Sequence, residues 1–362
     1  MLDPQLARQR QRDVLAASPD CDALLITMPH HVMYLTAHHP GRRHTPALLL
    51  RADGHATLIA ANGAPKHAAA DDVRPYVANA NATLRQDQAE AIADLLADRM
   101  TGLKRVGYDR GVTASVLLPQ YKIDWVNIDS VLWQRRRRKD ADELELMRRA
   151  IDATRAMYAR ARQLIAPGVP EIEIYNRLHA AAVESMGEAM TSVLGNDYAC
   201  GVGGGPARQD RDCVAGELYV LDLGPSYRGY HADNCRVIAV DRKPTDVQVK
   251  AWQNIADVFP IIESMAKPGV RCRDLHAAIE AHFQARFGRG QAHHLGHGVG
   301  LEPHEFPHLN PHWDDVLIEG EIFTCEPGIY REDLRSAIRL ENQYRVTADG
   351  VENLTPFSLA MA

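Results

Sequence analysis

Residues 218–236 decide the fold, and they read Leu218-Tyr-Val-Leu-Asp222-Leu-Gly-Pro-Ser-Tyr-Arg-Gly-Tyr230-His-Ala-Asp233-Asn-Cys-Arg236. The first residues are apolar and β-prone, glycine, proline and serine then favour a turn, and a second strand is predicted from Tyr230 to Val240. Asp222 ends the first strand and Asp233 lies early in the second. A carboxylate in an apolar strand needs a partner, so the pair indicates either a shared divalent cation or turn-capping and salt-bridged aspartates.

The composition bounds the class of protein. With 362 residues, 46% of them hydrophobic and 24% charged, the chain is long enough for about two soluble globular domains. A net charge of −6 argues against nucleic acid as a partner. The six cysteines are scattered without a CxxC pair, which indicates a reducing compartment. No signal peptide or membrane-spanning run is recognised, so we expect a cytoplasmic protein without a membrane partner.

Residues 1–135 are predicted to form a small α/β domain without a chemical motif of its own. Short strands alternate with turns and with a helix over 88–100. The polar loop 38–44 is either solvated or faces a substrate. The basic run 135–139 is balanced by the acidic residues that follow it, so we interpret it as a solvated linker and the start of a helix. A second domain is predicted over 140–362.

The second domain repeats itself. Helices are predicted over 142–165 and 170–186, joined by Pro-Gly-Val, and the same arrangement returns over 245–267 and 272–287. The third helix opens with a capping box that begins at Thr245. Both second helices also contain Leu-His-Ala-Ala. These matches predict two duplicated α+β halves, with a functional site at the seam between them.

The second half supplies further groups of the kind that bind metals. Glu326 and Glu341 follow strand-like apolar runs, and His297 and His304 lie in Gly-His-Gly-Val-Gly and Glu-Pro-His-Glu. Four carboxylates in one site would repel each other strongly, and two divalent ions would neutralise them. One neutral imidazole completes a shell of mostly oxygen ligands, which suits Mn, Co, Fe or Zn.

These segments resemble the pita-bread metallohydrolases, the family of methionine aminopeptidase, aminopeptidase P and prolidase. The matching motifs are Asp222-Leu-Gly, Tyr230-His-Ala-Asp233, Gly-His297-Gly-Val-Gly-Leu-Glu-Pro-His304-Glu, Glu326-Pro-Gly-Ile-Tyr and Arg339-Leu-Glu341. The resemblance implies an α+β protein, in which a small α/β N-terminal domain precedes a duplicated pita-bread catalytic domain. The N-terminal domain favours the aminopeptidase P and prolidase branch, because methionine aminopeptidases lack one.

The resemblance also implies a mechanism. Two divalent ions, expected to be Mn²⁺ with Co²⁺, Zn²⁺ or Fe²⁺ as alternatives, would be held by Asp222, Asp233, His297, Glu326 and Glu341. A hydroxide bridging the ions would attack the scissile carbonyl. Glu326 would act as general base and acid, and His304 would stabilise the oxyanion. The alternative for His304 is a buried histidine that only supports a ligand.

The residues that would grip a substrate depart from the family pattern. Prolidases and aminopeptidase P usually carry another histidine upstream of the first ligand, where this chain has a glycine-rich segment around Gly205. We predict an open, flexible loop there, with a phosphate-binding glycine loop as the alternative. Some prolidases place an arginine after the His-Glu pair, but here none occurs before Arg331. The remaining candidates for binding substrate are His308, Arg339 and Arg43.

The function favoured by this resemblance is cleavage of the Xaa-Pro bond at the N-terminus of peptides whose second residue is proline. An Xaa-Pro aminopeptidase is preferred to a strict Xaa-Pro dipeptidase. The alternatives are a creatinase- or ectoine-hydrolase-like enzyme acting on a small molecule, and a binding protein built on an inactive domain. Family habit implies a homodimer, in which loop 38–44 could reach the neighbouring site.

Overall fold

The computed structural model describes residues 1–79, 87–191, 195–201 and 204–362. The chain divides into two compact units, Met1–Arg136 and Arg137–Ala362. Each unit has a hydrophobic core of its own. Among the described helices, none combines the length and the apolar character needed to cross a bilayer.

The first unit is built on a mixed six-stranded sheet of order β4-β3-β2-β1-β5-β6. The central strand β1 pairs antiparallel with β2 and parallel with β5. Helix α3 packs Ile92, Leu96 and Met100, which share one helical face, into the core of the sheet. The elements are α1 Pro4–Ala16, β1 Ala23–Ile26, α2 Pro29–Thr36, β2 Ala47–Arg51, β3 Ala56–Ala61, β4 Asp72–Tyr76, α3 Gln88–Met100, β5 Arg105–Tyr108, α4 Val112–Leu117, a 3₁₀ turn Leu118–Gln120, β6 Asp124–Asn127 and α5 Asp129–Arg137.

A buried carboxylate, that of Asp109, connects the segment after β5 to the start of α2 in the first unit. Asp109 is fully buried and accepts hydrogen bonds from the backbone N–H groups of Thr27 and Met28, at 2.8 and 3.0 Å. It also accepts from His31 Nδ1 at 2.9 Å. The other ring nitrogen of His31 lies 3.0 Å from Arg136, which can only donate, so the proton of the imidazole is on Nδ1. These bonds outweigh the effect of burial and keep the pKa of Asp109 below its usual range.

We expect Asp109→Ala to lower the free energy of unfolding by about 3 kcal/mol, because it leaves two backbone donors and an imidazole unpaired in the core. Urea denaturation followed by circular dichroism measures the change. Asp98→Ala is the matched control, since Asp98 pairs with Arg74 on the surface and is screened by water. Equal effects of the two substitutions would contradict a structural role of the buried pair.

The second unit holds a three-stranded sheet β11-β8-β7, a five-stranded sheet β13-β12-β14-β17-β18 and two small hairpins. Helices α8, α9 and α10 cover the core between them. The elements are α6 Ala141–Leu164, α7 Glu171–Met186, β7 Gly195–Cys200, β8 Leu218–Leu223, β9 Ser226–Tyr227, β10 Tyr230–His231, β11 Asn234–Ala239, α8 Asp246–Ala256, α9 Val258–Met265, α10 Cys272–Phe287, β12 Gly296–Gly298, β13 Glu305–Leu309, β14 Ile322–Cys325, β15 Gly328–Arg331, a 3₁₀ turn Glu332–Leu334, β16 Ser336–Arg339, β17 Asn342–Val346 and β18 Val351–Asn353.

The predicted repeat extends to individual hydrogen bonds. The two Pro-Gly-Val turns place Gly168 and Gly269 at φ +83° and +88°, a conformation that favours glycine. The N–H of Gly168 bonds Cys213 O at 2.8 Å, and that of Gly269 bonds Leu317 O at 2.9 Å. Each turn is therefore anchored in the same way to a segment that precedes a strand of its own half.

Two predicted elements are interrupted in the structure. The strand expected from Tyr230 to Val240 breaks at Ala232, because its N–H bonds Pro225 O and the next N–H bonds a glutamine side chain. The single helix predicted over 245–267 is two helices in the structure, since α8 ends at Ala256 and α9 starts at Val258. Pro260 explains that break, since it lacks the N–H that would bond the carbonyl of residue 256.

The basic run is not the solvated linker that we predicted. Arg136, Arg137 and Lys139 are all buried, and helix α5 extends into the run. Arg137 forms an ion pair with the buried Glu321, and Lys139 Nζ lies 3.2 Å from Glu305. These acidic partners lie far away in sequence, so local charge balance did not reveal them.

Candidate metal centre

One cavity of about 250 Å³ collects all five predicted ligands. Asp222, Asp233, His297 and Glu341 are buried, and Glu326 keeps only 13% of its side chain exposed. The cavity is lined by Asp197, Asp222, Asp233, His293, His294, His297, His304, Glu326, Arg339 and Glu341. Residues from both halves of the repeat thus meet in one place.

Strand pairing positions the carboxylates. Asp222 lies on β8 opposite Cys235 of β11, and Asp233 immediately precedes that strand. The N–H of Glu341 donates to the carbonyl of Cys235 at 3.0 Å, which brings the second half of the repeat to the same point. Buried Arg236 reinforces this junction through a hydrogen bond to Asn342 Oδ1 at 2.9 Å.

The orientation of His297 is fixed by its backbone. Its Nδ1 lies 3.0 Å from the carbonyl oxygen of Gly298, so Nδ1 donates and Nε2 is left with a lone pair. Nε2 lies 3.3 Å from Glu326 Oε1 and 3.7 Å from Asp233 Oδ2. A Cβ on Gly296 would approach Thr324 O to 1.9 Å, so glycine is needed for this strand to lie beside β14.

The electrostatics of the cavity fit a bound cation. Burial raises the pKa of Asp222, Asp233 and Glu341, and repulsion among the carboxylates adds to the effect. Asp222 Oδ1 is buried and has no hydrogen-bond partner in the described part of the chain. Ligand atoms of Asp233, His297 and Glu341 all lie within 4.8 Å of one another. Oxygen-rich sites with one imidazole suit the divalent ions expected from the sequence.

Glu326 has a partner that the sequence did not single out. Burial would raise its pKa, but the hydrogen bond from His294 and the proximity of the His297 ring outweigh burial and hold the pKa well below its usual range. His294 Nε2 lies 2.9 Å from Glu326 Oε1, and this contact raises the pKa of His294. The adjacent His293-His294 pair was the available signal, since it directly precedes the Gly-His297-Gly motif.

The remaining predicted residues are distributed as follows. His304 lines the cavity with its ring stacked on His297 at a centroid distance of 3.7 Å. The residue is partly exposed to solvent, yet the burial of its ring and the neighbouring His297 lower its pKa to about 4. Arg339 also lines the cavity. His308 packs instead against Trp313, with the ring centroids 4.5 Å apart. Arg43 lies in an exposed turn of the first unit.

A family model describes this part of the chain. Residues 145–348 match the model of metallopeptidase family M24, and residues 8–137 match the creatinase/prolidase N-terminal domain. The chain belongs to metallopeptidase family M24. This membership confirms the resemblance inferred from the motifs.

Individual relatives agree with this membership. The Xaa-Pro dipeptidase of Pyrococcus horikoshii is 29% identical over 236 residues, which cover 64% of this M24 chain and 66%, just under two thirds, of the relative. The solved prolidase of the same organism superposes with a TM-score of 0.82 at 22% identity, covering 98% of this chain and 100% of that one. An X-Pro aminopeptidase from Thermotoga maritima gives 0.80 at 22% identity, covering 97% and 98%. These likenesses confirm the predicted pita-bread fold class.

The glycine-rich segment of this M24 protein is described only in part, because residues 202–203 lie outside the described residues. Gly205 donates its N–H to Asp197 Oδ1, and Arg208 forms an ion pair with Glu171 at 2.6 Å. The predicted flexibility of the loop therefore stays a prediction. No sequence motif pointed to Asp197, which is a single aspartate on a short strand.

We expect Glu341→Gln to stabilise the metal-free protein above about pH 5. Burial holds the pKa of Glu341 above its value of about 4.3 in an unfolded chain, so the folded metal-free protein keeps a proton that the unfolded chain releases. Its contribution to stability is present below about pH 4 and falls as the pH rises. Without metal, the variant should therefore gain stability relative to the wild type by up to about 1.4 kcal/mol per pH unit.

Urea denaturation in EDTA between about pH 5 and pH 8 tests this expectation. Added Mn²⁺ should reverse the order, because it binds the folded wild type more tightly than a variant that lacks one ligand. Parallel stability curves for the two proteins, with and without metal, would contradict the role of Glu341 as a metal ligand.

Proposed function

We propose that this M24 protein cleaves the peptide bond between an N-terminal residue and proline. The observation that carries the proposal is the cavity itself, where the four carboxylates and the one imidazole predicted as ligands converge from two halves of the fold. Such a donor set would hold two divalent ions, Mn²⁺ first among the candidates. When bound, these ions supply Lewis-acid activation of the substrate carbonyl and of a water molecule.

The side chains around the cavity have separate tasks in this proposal. Glu326 is ionised at neutral pH, so it can accept a proton from the attacking water and deliver it to the proline nitrogen as the bond breaks. Neutral His304 donates a hydrogen bond to the carbonyl oxygen as negative charge develops there. His294 holds Glu326 in place through the 2.9 Å contact.

An aminopeptidase is favoured over a strict dipeptidase by the charges near the site. Among the described residues that line the metal cavity, Arg339 is the one lysine or arginine, and it is engaged by Asp197 and Asp222. A groove of about 750 Å³ adjoins the cavity, shares His293 and His294 with it, and is lined by no lysine or arginine among the described residues. A longer peptide could extend into this groove, whereas the carboxylate of a dipeptide would find no available cation there.

The relatives favour the other candidate. Those named Xaa-Pro dipeptidase include the Pyrococcus horikoshii and Pyrococcus furiosus proteins, each 29% identical over 236 residues. A strict dipeptidase would need a cation from outside the two cavities, and Arg43 is the predicted candidate. A cytoplasmic homodimer, in which loop 38–44 reaches the neighbouring site, stays part of this proposal.

A panel of four peptides separates these functions. The metal-stripped protein is reloaded with Mn²⁺ and assayed on Ala-Pro, Ala-Pro-amide, Ala-Pro-Ala and Ala-Ala-Ala. We expect cleavage of the amide and of Ala-Pro-Ala, weak or no cleavage of Ala-Pro, and none of the peptide without proline. Cleavage of Ala-Pro alone would establish a dipeptidase. If no peptide is cleaved by the metal-loaded protein, the peptidase proposal is wrong and the small-molecule alternative gains support.

We expect His304→Ala to lower kcat for Ala-Pro-Ala by about 100-fold, as removal of an oxyanion donor does in other hydrolases. The Mn²⁺ content should stay unchanged, because His304 is not among the proposed ligands. His179→Ala, an exposed change on α7, serves as the control. A loss of metal together with activity would show that His304 acts on the metal centre rather than on the substrate.

A further inference from the structure

Asp197 places a fifth carboxylate beside the predicted ligands. It lies on β7 directly opposite Asp222 of β8, and the register between the strands shifts between Gly195 and Asp197. Like charges at opposed positions of antiparallel strands destabilise a sheet. Both side chains are largely buried, with 13% and 9% exposed, so water does not screen them well. A cation must therefore lie between them.

Arg339 is that cation. One nitrogen of its guanidinium contacts both Asp197 Oδ2 and Asp222 Oδ2, the latter at 2.8 Å. The other terminal nitrogen donates to the hydroxyl of Tyr330 at 2.8 Å. The side chain of Arg339 is only 10% exposed, which makes its contacts with the two aspartates strong.

Asp197 is fully engaged by the protein. Its Oδ1 accepts the N–H of Gly205, while Oδ2 faces Arg339. A Cβ on Gly204 would approach Oδ1 to 2.5 Å, so the neighbouring loop is shaped around this carboxylate. With both oxygens occupied, Asp197 is suited to hold Arg339 and not to bind a substrate.

Asp197 affects metal binding through the net charge of the cavity. Five carboxylates and one guanidinium line the cavity, a formal charge of −4 when all are ionised, which matches two divalent ions. Without Asp197, the guanidinium would cancel one of the four predicted ligand charges. It would also bind Asp222 without a competitor and oppose any cation that needs the same oxygen.

We propose that Asp197 is a positioning residue that neutralises Arg339 and so preserves the affinity of the cavity for two divalent ions. The proposal rests on the dinuclear centre of the proposed function. Asp197 acts through Arg339 and contacts no substrate. Removing the carboxylate should weaken metal binding, and removing both charges together should restore it.

The test is isothermal titration of metal-free protein with Mn²⁺, which needs no peptide hydrolysis. Asp197→Asn keeps an acceptor for Gly205 and should weaken the binding of at least one ion by about tenfold or more. The double variant Asp197→Asn/Arg339→Gln should recover to within about threefold of the wild type. Glu217→Gln, which removes a carboxylate paired with Arg211 outside the cavity, should leave the affinity unchanged.

Asp197→Ser is measured in parallel, so that a folding defect of one variant does not remove the comparison. Wild-type affinity in both single variants would overturn the proposal. So would a double variant as weak as Asp197→Asn, because the carboxylate would then act on the ions without Arg339. A wild type that binds two Mn²⁺ ions but cleaves no peptide would overturn the proposed function while leaving Asp197 in its role.

Discussion

The structure depends on the mutual repulsion of carboxylates that are buried in one cavity. Asp222 and Asp233 come from the first half of the repeat, and Glu326 and Glu341 come from the second. Neither half could bury its own pair without a counter-charge, because an isolated buried carboxylate is protonated or excluded. Packing the halves against each other therefore creates a strong demand for cations at their junction. The fold and the metal chemistry are two consequences of that constraint.

Two buried arginines, Arg236 and Arg339, have different roles at this junction. Arg236 donates to Asn342 Oδ1 and to the backbone carbonyls of Phe357 and Ser358 near the end of the chain, so it holds the strands that carry the ligands. Arg339 instead faces carboxylates inside the cavity. A guanidinium cannot lose its proton in a protein, so its charge is permanent and must be balanced. The positive charge of Arg236 is stabilised by the dipoles of backbone carbonyls, and that of Arg339 is neutralised by aspartates.

Much of the site could be predicted because its ligands lie in motifs at the ends of apolar runs. A carboxylate is costly to bury there unless it is paired or binds a cation. The repeat was visible because its Pro-Gly-Val turns need the same backbone conformation twice. Asp197 could not be predicted, since its importance comes from strand register and from Arg339, 142 residues away. The burial of Arg137 likewise depends on Glu321, which lies 184 residues further along the chain. The helix break before Pro260 could have been predicted, because a proline inside a helical pattern is visible in the sequence.

The segment near Gly205, which departs from the family pattern, contains an arginine that is held by the protein itself. Arg208 lies in this segment, yet it donates to both oxygens of buried Glu171, at 2.9 and 2.6 Å, and to the carbonyl of Cys200. A guanidinium held so closely is not available to a substrate carboxylate. Arg339 is committed to the aspartates in the same way. Arg208 and Arg339 therefore both stabilise the protein itself, and these contacts support the proposed preference for a substrate whose carboxylate lies further along the peptide.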